Sequence, residues 1–75
     1  MRGYVVVFEG DDETGYSAYS PDLPGVVAAG DSRPETEQLM RDAMIDHIAG
    51  LRELGEDVPP PATSADATLL DIPAA

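Results

Sequence analysis

The apolar residues of this chain fall into short clusters separated by acidic, glycine-rich or proline-rich breaks. Tyr4 to Phe8 reads Tyr-Val-Val-Val-Phe, β-branched and aromatic throughout, which favours a half-buried strand over about residues 3–9. Alternation puts Tyr4, Val6 and Phe8 on one face and Val5 and Val7 on the other. Both faces are apolar, so one is expected to meet a helix and the other is open to a second copy of the chain. The run from Gly10 to Gly15 holds three acids between two glycines, the composition of a hairpin loop. A second strand is expected over about residues 16–20. Pro21-Asp22-Leu23-Pro24-Gly25 cannot carry a ladder, because proline has no N–H to donate. It reads as a fixed turn that carries one apolar residue, Leu23. A third strand, about residues 26–29, ends at Gly30-Asp31.

The period then changes from two to nearly four. Leu39, Met40, Ala43, Met44, His47, Leu51 and Leu54 gather on one side of a helical wheel, with Ile45 nearly opposite and Ile48 off the stripe. Ser32-Arg33-Pro34-Glu35 fits a capping box with proline in the first turn, and Gly55 fits the residue just past the helix end. These signals predict a helix over about residues 33–54. Glu37 and Arg41 form a well-oriented i,i+4 pair, whereas Asp42 and Asp46 repel at the same spacing. Val58-Pro59-Pro60-Pro61 must leave the helix as extended chain. Residues 67–72 can form a last strand, at a sheet edge or reaching to a partner. The order β-β-β-α-β predicts a single α+β domain over residues 1–75, with one helix packed on an antiparallel sheet.

Composition narrows the chemistry. The chain has 75 residues, 15 of them acidic and 4 basic, for a net charge of -11. All four basic residues are Arg. That balance disfavours direct nucleic-acid binding and anionic membrane surfaces, and it makes basic proteins the natural partners. No cysteine is present, so disulfides, thiol nucleophiles and thiolate metal sites are excluded. No apolar run approaches the roughly 20 residues of a membrane span, and the run after Met1-Arg2 is too short for a secretory signal. A cytoplasmic location is expected.

Several groups invite sharper readings. His47 is the single histidine and lies on the apolar helix face, where a hydrogen-bonded packing role is the simpler assignment. Asp11, Asp12 and Glu13 could offer oxygen ligands to a cation, but the run lacks the alternating spacing of a calcium loop and suits a solvated loop tip. No Gly-x-Ser-x-Gly elbow and no phosphate loop occur. No catalytic, metal or cofactor residues are therefore assigned, and no enzymatic activity is expected.

The segment Tyr16-Ser17-Ala18-Tyr19-Ser20-Pro21-Asp22-Leu23-Pro24-Gly25 resembles the strand-turn signature of HicB-like antitoxins. Gly30-Asp31-Ser32 resembles the way that family opens its helix. Residues 43–57, with Gly50-Leu51-Arg52 and Gly55-Glu56, followed by Val58-Pro59-Pro60-Pro61, resemble its helix end and exit. Val26-Val27 stands where the family often has Cys, a packing change. The resemblance implies a partial RNase H-like fold, self-association, and neutralisation of a small basic HicA-type RNA-cleaving toxin by covering its active surface. Typical members continue into a C-terminal DNA-binding domain. No such segment is expected within residues 1–75, so operator binding is not carried over. Taken with the charge, the resemblance suggests Asp11, Asp12, Glu13, Tyr16, Tyr19, Asp22 and Leu23 as partner contacts. A homodimer is expected, since the second sheet face, Ile45 and Ile48 leave much apolar surface uncovered. The competing readings are a stand-alone oligomeric interaction domain without a toxin and, less favoured, a metal-dependent nuclease built on Glu9, Asp22 and Asp46.

Overall fold

The computed structural model describes residues 3–73; Met1 and Arg2, which lead into the first predicted strand, lie outside them. Among the described residues, strands β1 (Val7–Asp11), β2 (Gly15–Tyr19) and β3 (Val27–Gly30) precede one helix, α1 (Arg33–Glu53). The strands form one antiparallel sheet in the order β1-β2-β3. The helix covers one face of it, packing on β3 and β2. The fold is α+β.

Strand β1 starts later than its composition predicts. Val7 pairs with Tyr19, the last residue of β2. Beyond Tyr19 the chain turns at once, with the Leu23 N–H on the Ser20 carbonyl at 3.2 Å and the Val26 N–H on the Leu23 carbonyl at 3.3 Å. Nothing remains opposite residues 3–6. At the other end, Gly10 has φ +120°, and a Cβ there would collide with the Gly15 carbonyl, so the hairpin depends on glycine.

Register decides the two faces. Phe8, Ala18 and Ala28 are cross-strand neighbours under the helix. Val7, Tyr19 and Val27 form the matching row on the uncovered face, where Tyr19 and Val27 are exposed. The two alanines let the helix approach closely. The buried apolar core is small: Ala18, Leu23, Val26 and Met40. Tyr4, Val6, Phe8, Ala43, Met44 and Ile48 pack around it. Leu23 is 0% exposed, because the proline-bounded turn aims it inward beneath the helix.

The helix face differs from the predicted stripe. Thr36 is fully buried, with its hydroxyl donating to the Ser32 carbonyl at 2.8 Å. Counting Thr36 rotates the buried stripe onto Thr36, Met40, Met44 and Ile48. Ile48 therefore packs on the core, Leu39 is exposed, and Leu54 lies past the sheet as the C-cap. The helix ends have local causes. The Glu35 N–H donates to Ser32 Oγ at 3.2 Å, while the Glu35 carboxylate takes the N–H of Asp31, one residue earlier than in a standard capping box. At the C-terminus, the Gly55 N–H reaches the Arg52 carbonyl and the Glu56 N–H the Leu51 carbonyl. With Gly55 at φ +70°, this is a Schellman motif.

Residues 67–72 form no strand, which corrects the β-β-β-α-β expectation to β-β-β-α. The chain is held at residues 59–63 and then leaves the body, so 67–72 meets no strand edge. Leu69 is 98% exposed, Leu70 73% and Ile72 72%. This arm explains the elongated shape. The radius of gyration is 14.8 Å, against about 11 Å for a compact chain of this length.

Two substitutions test this packing. Leu23→Ala should destabilise the fold by about 2–5 kcal/mol. Ser20 Oγ is buried without a hydrogen-bond partner among the described residues. Ser20→Ala should therefore be neutral or stabilising. Urea denaturation followed by circular dichroism checks both.

Candidate functional site

The hairpin between β1 and β2 is a rigid acidic tip. Asp11 Oδ1 accepts the Glu13 N–H at 2.9 Å, the Thr14 N–H at 2.8 Å and the Thr14 hydroxyl at 2.9 Å. The Thr14 backbone bond leads the effects that hold the Asp11 carboxyl below its ordinary range. Its side chain is thus used to shape the loop. Tyr16 lies opposite Gly10 on one side and Gly30 on the other, so its ring has no bulky cross-strand neighbours. Its hydroxyl donates to Asp12 Oδ1 at 3.0 Å, and that bond is the main reason the phenol is pushed up from its usual value. The tip presents the carboxylates of Asp12 and Glu13 outward from a fixed frame.

Tyr19, Asp22 and Leu23 lie at the opposite end of the sheet. Tyr19 sits on the uncovered face beside Val7 and Val27. Asp22 is half-buried, and its carboxylate is taken up by the chain's own later residues. Its Oδ2 accepts the N–H groups of Ala62 and Thr63, both at 2.8 Å, and its Oδ1 accepts the Thr63 hydroxyl at 2.7 Å. The Ala62 bond is the leading cause of a carboxyl held below its ordinary range. The Tyr4 hydroxyl adds a bond to the Pro59 carbonyl. Together Tyr4 and Asp22 fasten the proline-rich exit to the end of the sheet.

The seven residues expected to contact a partner therefore do not form one patch. Asp12, Glu13 and Tyr16 converge at the tip, with Asp11 as their scaffold. Tyr19 is at the far end, Asp22 is an internal clamp, and Leu23 is core, which corrects its place in that set. Sequence reasoning also passed over the outer face of α1, where Glu35, Asp42, Asp46 and Glu53 are all exposed. Of the 15 acidic residues, Asp22 is half-buried and the other 14 are exposed. Arg33 lies over the Phe8 ring at 3.5 Å from its centre, a contact between residues far apart in sequence that no local pattern announces. His47 is half-buried on the inner side of α1. Among the described residues no three His, Asp or Glu side chains gather as a metal site. No helix among them is long and apolar enough to cross a membrane.

Comparison with known proteins gives consistent matches. Residues 4–71 match the family model for HicB-like antitoxins of bacterial toxin–antitoxin systems. Antitoxin HicB 2 of Photorhabdus laumondii is 34% identical over 71 residues, which cover 95% of this chain and 50% of that protein. The chain thus spans about half the length of that relative. Among solved structures, the N-terminal domain of Burkholderia pseudomallei antitoxin HicB superposes with a TM-score of 0.69 at 32% identity, over 79% of this chain and 69% of that one. Burkholderia pseudomallei antitoxin HicB gives a TM-score of 0.74 at 31% identity, over 85% and 48% respectively.

The clamp makes a pH-dependent prediction. Because the folded-state pKa of Asp22 is depressed, its contribution is present above the unfolded value of about 3.9 and is lost as pH falls through the lower folded value. The amides of Ala62 and Thr63 should be protected from hydrogen exchange at neutral pH and lose that protection only as pH falls below the ordinary carboxylate range. Asp22→Ala should remove the protection at every pH while leaving the sheet amides slow.

Proposed function

This chain belongs to the HicB-like antitoxins of bacterial toxin–antitoxin systems, and from that membership we propose that it neutralises a small basic HicA-type RNA-cleaving toxin. It acts by binding, not by catalysis, and covers the cationic surface that the toxin would otherwise present to RNA. The observation that carries this reading is the net charge of -11 with nearly every carboxylate at the surface. Such a surface attracts a cationic partner over a distance and competes for the positions that phosphates would occupy.

The contact surface we assign is the hairpin tip, Asp12 and Glu13 with Tyr16, extended by acids on the outer face of α1. Asp12 and Glu13 stand on a loop already fixed by Asp11, so little conformational freedom is lost when a partner binds. Tyr19 on the open sheet face serves a second, apolar contact. The protein works in the cytoplasm, beside the RNA that the toxin attacks. It does so as a homodimer, a state supported by the exposed row of Tyr19 and Val27 and by the apolar arm at residues 67–72.

Titration calorimetry against a purified HicA-type toxin tests the proposal. Binding should weaken steeply as salt rises, because exposed charges are screened within about 10 Å at 0.1 M. The double substitution Asp12→Asn/Glu13→Gln should weaken binding by roughly 3- to 10-fold, mostly through slower association, with the fold intact by circular dichroism. Absence of binding at low salt, or affinity indifferent to salt, would sink the reading.

A further inference from the structure

Helix α1 sits over β3 and β2 and leaves the flank of β1 open. The result is a groove of about 500 Å³ between the first segment of the chain and the helix. Its walls are Tyr4, Val6 and Phe8 on one side and Met44, Ile45 and Ile48 on the other. Among the described residues the outer edge of β1 has no neighbouring strand, and residues 3–6 belong to no ladder. This edge is a row of backbone donors and acceptors bordered by apolar surface, a site that takes up an extended segment by strand addition.

The groove also has an unusual charge for this molecule. Arg41 and Glu37 line it, and Arg33 lies over Phe8 in its wall. Glu37 pairs with both, at 2.5 Å to Arg33 and 3.4 Å to Arg41. Two of the chain's four basic residues thus flank one groove on a protein of net charge -11. A basic partner is disfavoured there, and an acidic, apolar segment is favoured.

The arm at residues 64–73 has that chemistry. In an extended conformation Asp66, Thr68, Leu70 and Ile72 point one way, and Ala67, Leu69 and Asp71 point the other. The first set would bring Leu70 and Ile72 into the groove and Asp66 toward Arg33 and Arg41. The second set would lay Leu69 beside Val5 and Val7 on the opposite face. The arm is thus apolar on both sides, as the edge it would join is. It leaves its own body at the Asp22 clamp and projects away, giving a molecule 53 Å long and 25 by 23 Å across.

We infer that residues 66–72 of one copy add as a strand to the open edge of β1 in a second copy, reciprocally, with Leu70 and Ile72 seated in the groove. This deepens the homodimer reading above by naming the surfaces involved, and it leaves the acidic tips on the outside of the pair. An exchange of identical arms closes on itself as a two-fold dimer.

Sedimentation equilibrium of the full chain and of the double variant Leu70→Asp/Ile72→Asp tests the inference. Both side chains are exposed in the single copy, so the variant should fold normally while its dimer Kd rises at least about tenfold. A dimer that is unchanged in the variant overturns the arm exchange and spares the dimer. A wild-type chain that is monomeric at about 100 µM, far above the Kd of a stable pair, overturns both. The absence of native cysteine allows a second measurement. Mixing the single variants Ile45→Cys and Leu70→Cys under oxidation should give a heterodimeric disulfide. A bond that forms only within one chain, in the double-cysteine variant, would show the arm folding onto its own groove and overturn the exchange. Toxin affinity of Leu70→Asp/Ile72→Asp, read in the same calorimetric titration, separates loss of the arm contact from failure of the antitoxin reading.

Discussion

A helix longer than the sheet that carries it governs this molecule. At 1.5 Å per residue, the 21 residues of α1 extend about 31 Å. A five-residue strand extends about 17 Å. The N-terminal turn is fixed to the sheet by Ser32, Thr36 and Gly30, where a Cβ would approach Thr36 Oγ1 to 2.8 Å. The excess length must therefore overhang at the other end. The Schellman turn at Gly55 and the prolines after it bring the chain back toward the sheet, and Tyr4 and Asp22 receive it there. The clamp, the orphaned residues 3–6 and the projecting arm all lie at this overhanging end.

The core of this molecule is small. Among the described residues the buried apolar side chains are Ala18, Leu23, Val26 and Met40, and the other apolar side chains are partly or largely exposed. A chain of this size buries roughly 60% of its unfolded surface at best and has no disulfide to compensate. The long-range hydrogen bonds from Asp22 therefore matter more here than a surface carboxylate usually does. They tie residues 62 and 63 to a turn forty positions earlier and so close a loop around the whole helix.

What the sequence made legible were the features with local causes. Ser32 and Gly55 mark the helix ends because capping is decided within one turn of chain. The acidic hairpin and the Pro21–Gly25 turn are likewise written in consecutive residues. The features that stayed hidden have partners far away. Asp22 looks like a surface acid until Ala62 and Thr63 arrive beside it. Thr36 reads as polar until its hydroxyl is given to Ser32, after which its methyl group joins the buried stripe and displaces Leu39. The expected strand over residues 67–72 has the right composition, but a strand exists only where another edge is within reach. Composition cannot say whether that edge belongs to the same chain.

Charge settles how the two kinds of surface divide the work. Association of two copies doubles a net charge of -11, so any stable contact between them must avoid acid meeting acid. The tip and the outer face of α1 are unsuited to it and are suited to a cationic partner. The β1 edge and its groove are apolar, and the Glu37 carboxylate beside them is already answered by Arg33 and Arg41, with the Arg33 bond foremost among the effects that hold its pKa below the ordinary range. In the proposed dimer, Arg33 and Arg41 would lie at the self-contact and most of the anions elsewhere. That is the distribution these four elements produce.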